Sequence, residues 1–160
     1  MITDADRKIR QDNHDMIDML ILKNQPQLFV TLSPMRNVKE RPFDSMIRKT
    51  FCDLNWKVCP QLWRHQRHRS TLGVVHPKSV ITGVSVIETG ERTFRNRHAH
   101  WVLWCQNRHV DRIKEHLPLV FADVVGNAVD VLVDDFEVGR MTAAYLAKET
   151  DDNNGPTLFS

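Results

Sequence analysis

Several features that would assign a chain to a common class are missing from this sequence. There is no long apolar run and the first residues are acidic, so we expect neither a membrane span nor a secretory signal. The three cysteines form no Cys-x-x-Cys pair and are odd in number, which argues against a disulfide framework and suits a reducing compartment. We therefore expect a soluble protein of the cell interior with three buried thiols, Cys52, Cys59 and Cys105.

A Gly-x-x-x-x-Gly-Lys-Ser/Thr motif is also absent, so the sequence predicts no phosphate-binding loop of an attached helicase and no use of ATP. Internal repeats and low-complexity segments are missing as well. The 160 residues, 41% of them apolar, can bury one core but are too few for two ordinary domains.

What the sequence does have is an uneven distribution of charge. Residues 36–114 contain 16 Lys and Arg against 6 Asp and Glu, whereas residues 115–160 contain 2 against 9. The basic middle segment attracts polyanions, so nucleic acid is the expected partner, and a solvated basic surface is the alternative. The candidate phosphate contacts are arginines, namely Arg64, Arg67, Arg69, Arg92, Arg95, Arg97 and Arg108.

Hydrophobic periodicity predicts an α+β fold in which helices flank a central antiparallel sheet. The predicted helices cover residues 4–23, 45–60, 113–124 (kinked or interrupted by Pro118) and 141–149, and the predicted strands cover residues 27–33, 79–88, 98–105 and 129–133. From the first strand onward this order is a split β-α-β arrangement, the ferredoxin-like or RNA-recognition-like plan. We expect residues 1–26 to be a helical cover, 27–150 the main domain and 151–160 a loosely held polar tail.

Two histidines begin the third predicted strand. His98 and His100 are two residues apart, so both imidazoles point to the same face. If residues 79–88 and 98–105 pair as a hairpin with Glu88 opposite His98, then Val86 faces His100 and a carboxylate joins the two imidazoles. Two nitrogens and one oxygen would leave positions open on a divalent metal. Glu91, in the predicted turn, is the competing third ligand.

A second metal interpretation uses Cys52, Cys59, His65 and His68. All four are zinc-ligand types, but their spacings fit no familiar zinc finger. A zinc-stabilised interaction domain is therefore an alternative to the site at His98 and His100.

Tyr145 is the only tyrosine in the chain, and it lies three residues before Lys148, on one face of the last predicted helix. A phenol with a pKa near ~10 attacks poorly unless something stabilises its ionised form. The Lys148 cation and a bound metal could supply that help. The alternative is a tyrosine packed on the sheet beside a solvated lysine. Trp104 shares the parity of the histidines and could stack on a base, whereas Trp101 points to the opposite face.

Three stretches, in order, are Phe29-Val30-Thr31-Leu32-Ser33, His98-Ala99-His100 and Tyr145-Leu146-Ala147-Lys148. Together they resemble the motifs of HUH endonucleases, and of the single-tyrosine rolling-circle replication initiators (Rep proteins) in particular. The resemblance spans residues 28–149. The first motif ends Thr-Leu-Ser where many relatives have Thr-Leu-Thr, and Ala99 is a small residue between the histidines.

The resemblance implies a ferredoxin-like HUH fold in which His98, His100 and Glu88 bind Mn²⁺ or Mg²⁺. It implies that Tyr145 attacks a phosphate of single-stranded DNA or an origin hairpin, forming a 5′-phosphotyrosyl link, with Lys148 as the motif lysine. A plasmid or phage Rep protein of this kind works in the prokaryotic cytoplasm with a separate helicase and polymerase. Mobilisation relaxases and single-strand transposases share the histidine pair, and a non-catalytic nucleic-acid-binding module is the alternative from another class.

Overall fold

The computed structural model describes residues 2–60, 80–89, 96–126, 128–139, 142–148, 150–151 and 154–159. A five-stranded antiparallel sheet with the order β4-β1-β3-β2-β5 is flanked by helices, so the predicted α+β class is confirmed. The strands are β1 (Leu28–Pro34), β2 (Thr82–Glu88), β3 (His98–Trp104), β4 (Val129–Asp135) and β5 (Thr157–Phe159). The first four have the connectivity of a split β-α-β fold.

Four α-helices accompany the sheet in the described ranges. They are α1 (Asp4–Asn24), α2 (Glu40–Val58), α3 (Val110–Val125) and α4 (Thr142–Ala147), with a 3₁₀ turn at Asn107–His109 before α3. The first helix begins at a capping box: the Thr3 hydroxyl accepts from the Asp6 amide at 3.1 Å, and the Asp6 carboxylate accepts from the Thr3 amide at 2.8 Å. The third ends at Gly126, whose φ of 68° suits glycine.

One face of the sheet, which we call the closed face, is covered by α2 and α3, which pack against each other. Alternate residues of the central strands point into this core, among them Val30 of β1 and Trp101 of β3, and both are inaccessible to solvent. Apolar residues of the two helices complete the core, including Phe43, Leu54 and Phe121. The closed face therefore holds the main hydrophobic core.

The opposite face, which we call the site face, is covered in part by α1 and α4. Ile17 of α1 and Leu146 of α4 pack on Val84, Val86 and Val102 of the sheet. These helices do not cover the part of this face formed by β1 and β4. Leu132 is 54% exposed there, and Asp134 is also exposed. A buried part and an open part of the sheet thus meet on this face.

Several predicted details were wrong. The tail is not loose at residues 157–159, because these form β5 on the edge of β2 and bury Phe159 against Phe51 and Trp101. Of the two possibilities for Pro118, the interruption is wrong, because α3 runs from Val110 to Val125 with Pro118 inside it.

Two further differences concern α2 and the thiols. The helix begins at Glu40, before the predicted Ser45. The thiols are free, but Cys52 is exposed and Cys59 and Cys105 are half-buried, so the expectation of buried thiols was wrong. No helix within the described ranges has the length and apolar character needed to cross a membrane.

Candidate metal and catalytic site

The hairpin of β2 and β3 has the register that the sequence predicted. Glu88 pairs with His98, and Val86 pairs with His100. Residues directly opposite each other in an antiparallel pair share a face, and so do residues two apart along one strand. Glu88, His98 and His100 therefore converge on the site face, where all three side chains are buried.

The ligand atoms of this triad are close enough to share one ion. His98 Nε2 lies 2.9 Å from Glu88 Oε2, and His100 Nε2 lies 3.4 Å from Glu88 Oε1. One nitrogen or oxygen from each of the three residues falls within 4.8 Å of the others. Buried carboxylate and imidazole groups in this arrangement can hold a divalent metal.

Hydrogen bonds on the far side of each imidazole fix its orientation. His98 Nδ1 lies 3.0 Å from the backbone oxygen of Asn96, and His100 Nδ1 lies 3.0 Å from the hydroxyl of Thr31. Partners of this kind commonly orient histidines that bind metals, because they leave Nε2 directed at the ion. Phe29 adds a stacked ring 5.5 Å from that of His100.

The contact between His98 and Glu88 requires a positive charge nearby. A backbone oxygen only accepts, so His98 Nδ1 must carry the proton that it donates to Asn96. In the neutral imidazole, Nε2 then has a lone pair, and this lone pair lies 2.9 Å from a carboxylate oxygen. A second proton or a metal ion relieves the repulsion between these two acceptors, and the donor set fits a metal.

Glu88 is held in its ionised form. Burial acts to raise the pKa of this carboxyl, but its contacts with the imidazoles of His100 and His98 act in the opposite direction and prevail, so the pKa lies well below its usual range. Glu88 Oε1 is buried without a hydrogen bond of good geometry to any described group. An ionised carboxylate oxygen with an unused lone pair is what a metal ligand requires.

Tyr145 reaches the triad from α4. Its hydroxyl lies 3.4 Å from His100 Nε2, and its ring meets that of His100 edge-on at 5.2 Å. The side chain is 43% exposed. The phenol oxygen thus lies beside the candidate metal ligands, and the side chain is also accessible from solvent.

Lys148 follows directly after the end of α4 and lies on the same side as Tyr145, as the one-turn spacing predicted. Its Nζ is 3.8 Å from the centre of the Tyr145 ring and 3.4 Å from Glu88 Oε1. The ammonium therefore contacts both the phenol ring and the carboxylate of the candidate metal triad. A cation in this position can approach a phosphate oxygen.

The structure adds Thr31 to the site. It was part of the quoted motif but was not a candidate residue, because its role depends on the pairing of β1 with β3, which puts Thr31 opposite His100. A cleft of about 770 Å³ opens from His100 and Tyr145 toward the exposed side of β1 and β4. Its acidic residues were also missed, since the sequence had indicated only basic DNA contacts.

The predicted DNA contacts are only partly described. Arg64, Arg67, Arg69, Arg92 and Arg95 lie outside the described residues, as does the competing ligand Glu91. Arg97 donates to the Val38 carbonyl at 2.9 Å, and Arg108 is exposed. Trp104 lies on the site face as expected, half-buried in the cluster under α1, and Trp101 is on the closed face.

The alternative zinc site includes His65 and His68, which lie outside the described ranges. Among the residues that are described, Glu88, His98 and His100 form the one group with a metal-binding arrangement.

No protein-family model, no curated protein and no solved structure matches this chain.

Proposed function

We propose that this protein is a metal-dependent endonuclease of the HUH type that nicks and rejoins single-stranded DNA through a phosphotyrosine link. The observation that carries the proposal is the distance of 3.4 Å between the Tyr145 hydroxyl and His100 Nε2. A phenol beside a buried triad of metal ligands suits attack on a phosphate that the same metal binds.

The proposed reaction exchanges one phosphate ester for another. The Tyr145 oxygen forms a bond to the phosphorus, the bond to the 3′ oxygen breaks, and the phenol proton leaves for solvent while the 3′ oxygen takes one up. Lys148, 3.8 Å from the phenol ring, stabilises the developing phenolate. Mn²⁺ or Mg²⁺ at the triad would withdraw negative charge from the phosphate.

The tyrosyl ester keeps the energy of the broken bond, so a free 3′-hydroxyl can attack it and restore the strand without ATP. This agrees with the lack of a phosphate-binding loop in the sequence. The most specific version of the proposal is a rolling-circle replication initiator in a prokaryotic cell, acting at an origin sequence or hairpin with a separate helicase and polymerase.

The test is covalent capture. Protein and Mn²⁺ or Mg²⁺ are mixed with labelled single-stranded oligonucleotides taken from the DNA that flanks the gene, and a denaturation-resistant protein–DNA adduct is expected on a gel. Tyr145→Phe should abolish the adduct, because it removes the attacking oxygen and keeps the ring. Thr142→Val is the matched control, since it removes a hydroxyl from the same helix and the same cleft.

Equal adduct yield from Tyr145→Phe would refute the assignment of the nucleophile. Salt-dependent DNA binding with no adduct under either metal would instead favour the non-catalytic nucleic-acid-binding module.

A further inference from the structure

The cleft beside Tyr145 has a charge that does not suit phosphate. Asp134, Asp135 and Glu137 line it, and no lysine or arginine of the described chain does. Phosphate oxygens are repelled by such a surface. The part of a nucleotide that enters the cleft should therefore be its uncharged base, with the phosphate left at the metal ligands.

Asp134 and Asp135 have different surroundings although they are neighbours in β4. Asp135 lines the cleft, but its carboxylate accepts a hydrogen bond of 2.8 Å from Lys114 of α3, so its charge is paired. Asp134 pairs with Phe29 in the β1–β4 register and so points to the site face. It is exposed, and within the described ranges no group donates a hydrogen bond to it. Its carboxylate is available to a ligand.

Aromatic rings line the same cleft. Phe29 stacks on His100 and meets the Tyr145 ring edge-on at 6.4 Å, and Phe136 contributes a second half-buried ring. Unpaired bases stack on such side chains with little regard to sequence. A base against Phe29 would lie next to the groups that handle the phosphate, with its edge toward Asp134.

We propose that this cleft binds the unpaired base beside the scissile phosphate and that Asp134 selects a base with an exocyclic amino group. This inference rests on the proposed nicking function and specifies its substrate. A carboxylate only accepts hydrogen bonds, so it can pair with the amino group of cytosine, adenine or guanine. Thymine has no amino group, and its one ring N–H lies between two carbonyl oxygens that repel a carboxylate. Thymine is the excluded base.

The test compares two pyrimidine ligands of equal size. Binding of fluorescein-labelled dC15 and dT15 to the full chain with Mn²⁺ is measured by fluorescence anisotropy. The expected result is binding of dC15 at least about tenfold tighter than dT15, within the range for one well-formed base contact. Asp134→Asn should bring the two affinities within about twofold, because an amide both donates and accepts.

Asp130→Asn is the matched control, because Asp130 is exposed on the same strand and the same face but does not line the cleft. It makes the same change of charge and should keep the preference for dC15. Equal affinities of the wild-type protein for dC15 and dT15 would overturn the inference. The inference would also be overturned if both variants gained affinity equally for both oligonucleotides. That result would show only that removing a negative charge weakens the repulsion of DNA.

The covalent assay separates the two proposals. If an adduct forms at Tyr145 but the protein shows no base preference, the base pocket is rejected and the nicking function stands. A preference for dC15 that Asp134→Asn abolishes supports the base pocket even where no adduct forms, and in that case the nicking function fails.

Discussion

The two faces of the sheet use neighbouring residues of the same strand in opposite ways. Trp101 is buried among apolar side chains on the closed face, whereas His100, one residue earlier, is buried beside a carboxylate and a phenol on the site face. The closed face gains free energy by excluding water. On the site face, part of that free energy is lost because polar groups are buried, and hydrogen bonds or a cation offset the loss. Stability and chemistry should therefore be separable by mutation.

The largest effect is expected on the closed face. Trp101→Ala should lower the free energy of unfolding by about 3–5 kcal/mol, because it empties the site of the largest fully buried side chain. Urea denaturation followed by circular dichroism measures it. Trp101→Phe is the control and should cost less, since the indole N–H has no hydrogen-bond partner among the described residues to lose. Equal losses in the two variants would contradict a packing origin.

The second effect belongs to the site face and depends on metal. Mn²⁺ at about 100 times its Kd should raise the free energy of unfolding by about 2.7 kcal/mol in the wild type and by almost nothing in His100→Ala. The stabilisation by Mn²⁺ should decrease at lower pH, because protons compete with the metal for the imidazole nitrogens. The carboxylate of Glu88 should stay ionised, since its pKa is depressed. Thermal unfolding with and without Mn²⁺ at several pH values checks both. An undiminished gain in His100→Ala would reject this metal site.

A smaller effect should follow from Thr31→Val, which keeps the shape of the side chain and removes the hydroxyl that holds His100 Nδ1. Loss of such a partner typically weakens metal binding by about 10–100-fold. Calorimetric titration with Mn²⁺ measures it. Thr31→Ser should restore the affinity, and Ser33→Ala, two residues along the same face of β1, should leave it unchanged. An affinity unaltered in Thr31→Val would exclude Thr31 from the site.

The smallest effect should come from Thr3→Ala, which removes the capping box of α1. The expected loss is about 1 kcal/mol in the free energy of unfolding. Because α1 covers the site face without contributing a ligand, the affinity for Mn²⁺ should not change. Lys8→Ala, at an exposed position of the same helix, serves as the control for the stability measurement. A change in the affinity for Mn²⁺ in Thr3→Ala would show that α1 and the metal site are coupled.

The local parts of this comparison could be predicted from the sequence. The period of two at His98 and His100, together with the hairpin pairing, was sufficient to bring Glu88 to both imidazoles. The spacing of Tyr145 and Lys148 was sufficient to put them on one side of α4. These features depend on neighbouring residues or on a single strand pairing.

The missed parts depend on contacts that are distant in the chain. Residues 157–159 lie at the end of a polar segment. They form a strand because they pair with the edge of β2, where Phe159 packs against Phe51. Thr31 and Asp134 acquire their roles from the positions of β1 and β4 in the sheet order. The exposure of Cys52 is a different case, because the positions of Ile47, Phe51, Leu54 and Val58 already define the buried face of α2. Cys52 lies away from that face.

The local origin of the metal ligands also orders the assembly of the site in time. All three ligands lie within residues 88–100, so the pairing of two adjacent strands completes them, and contacts of short sequence separation form early in folding. Tyr145, the proposed nucleophile, comes from 45 residues beyond His100. Under the proposed function, a chain emerging from the ribosome would complete its candidate metal site before α4, which carries Tyr145, had been synthesised and packed against α1.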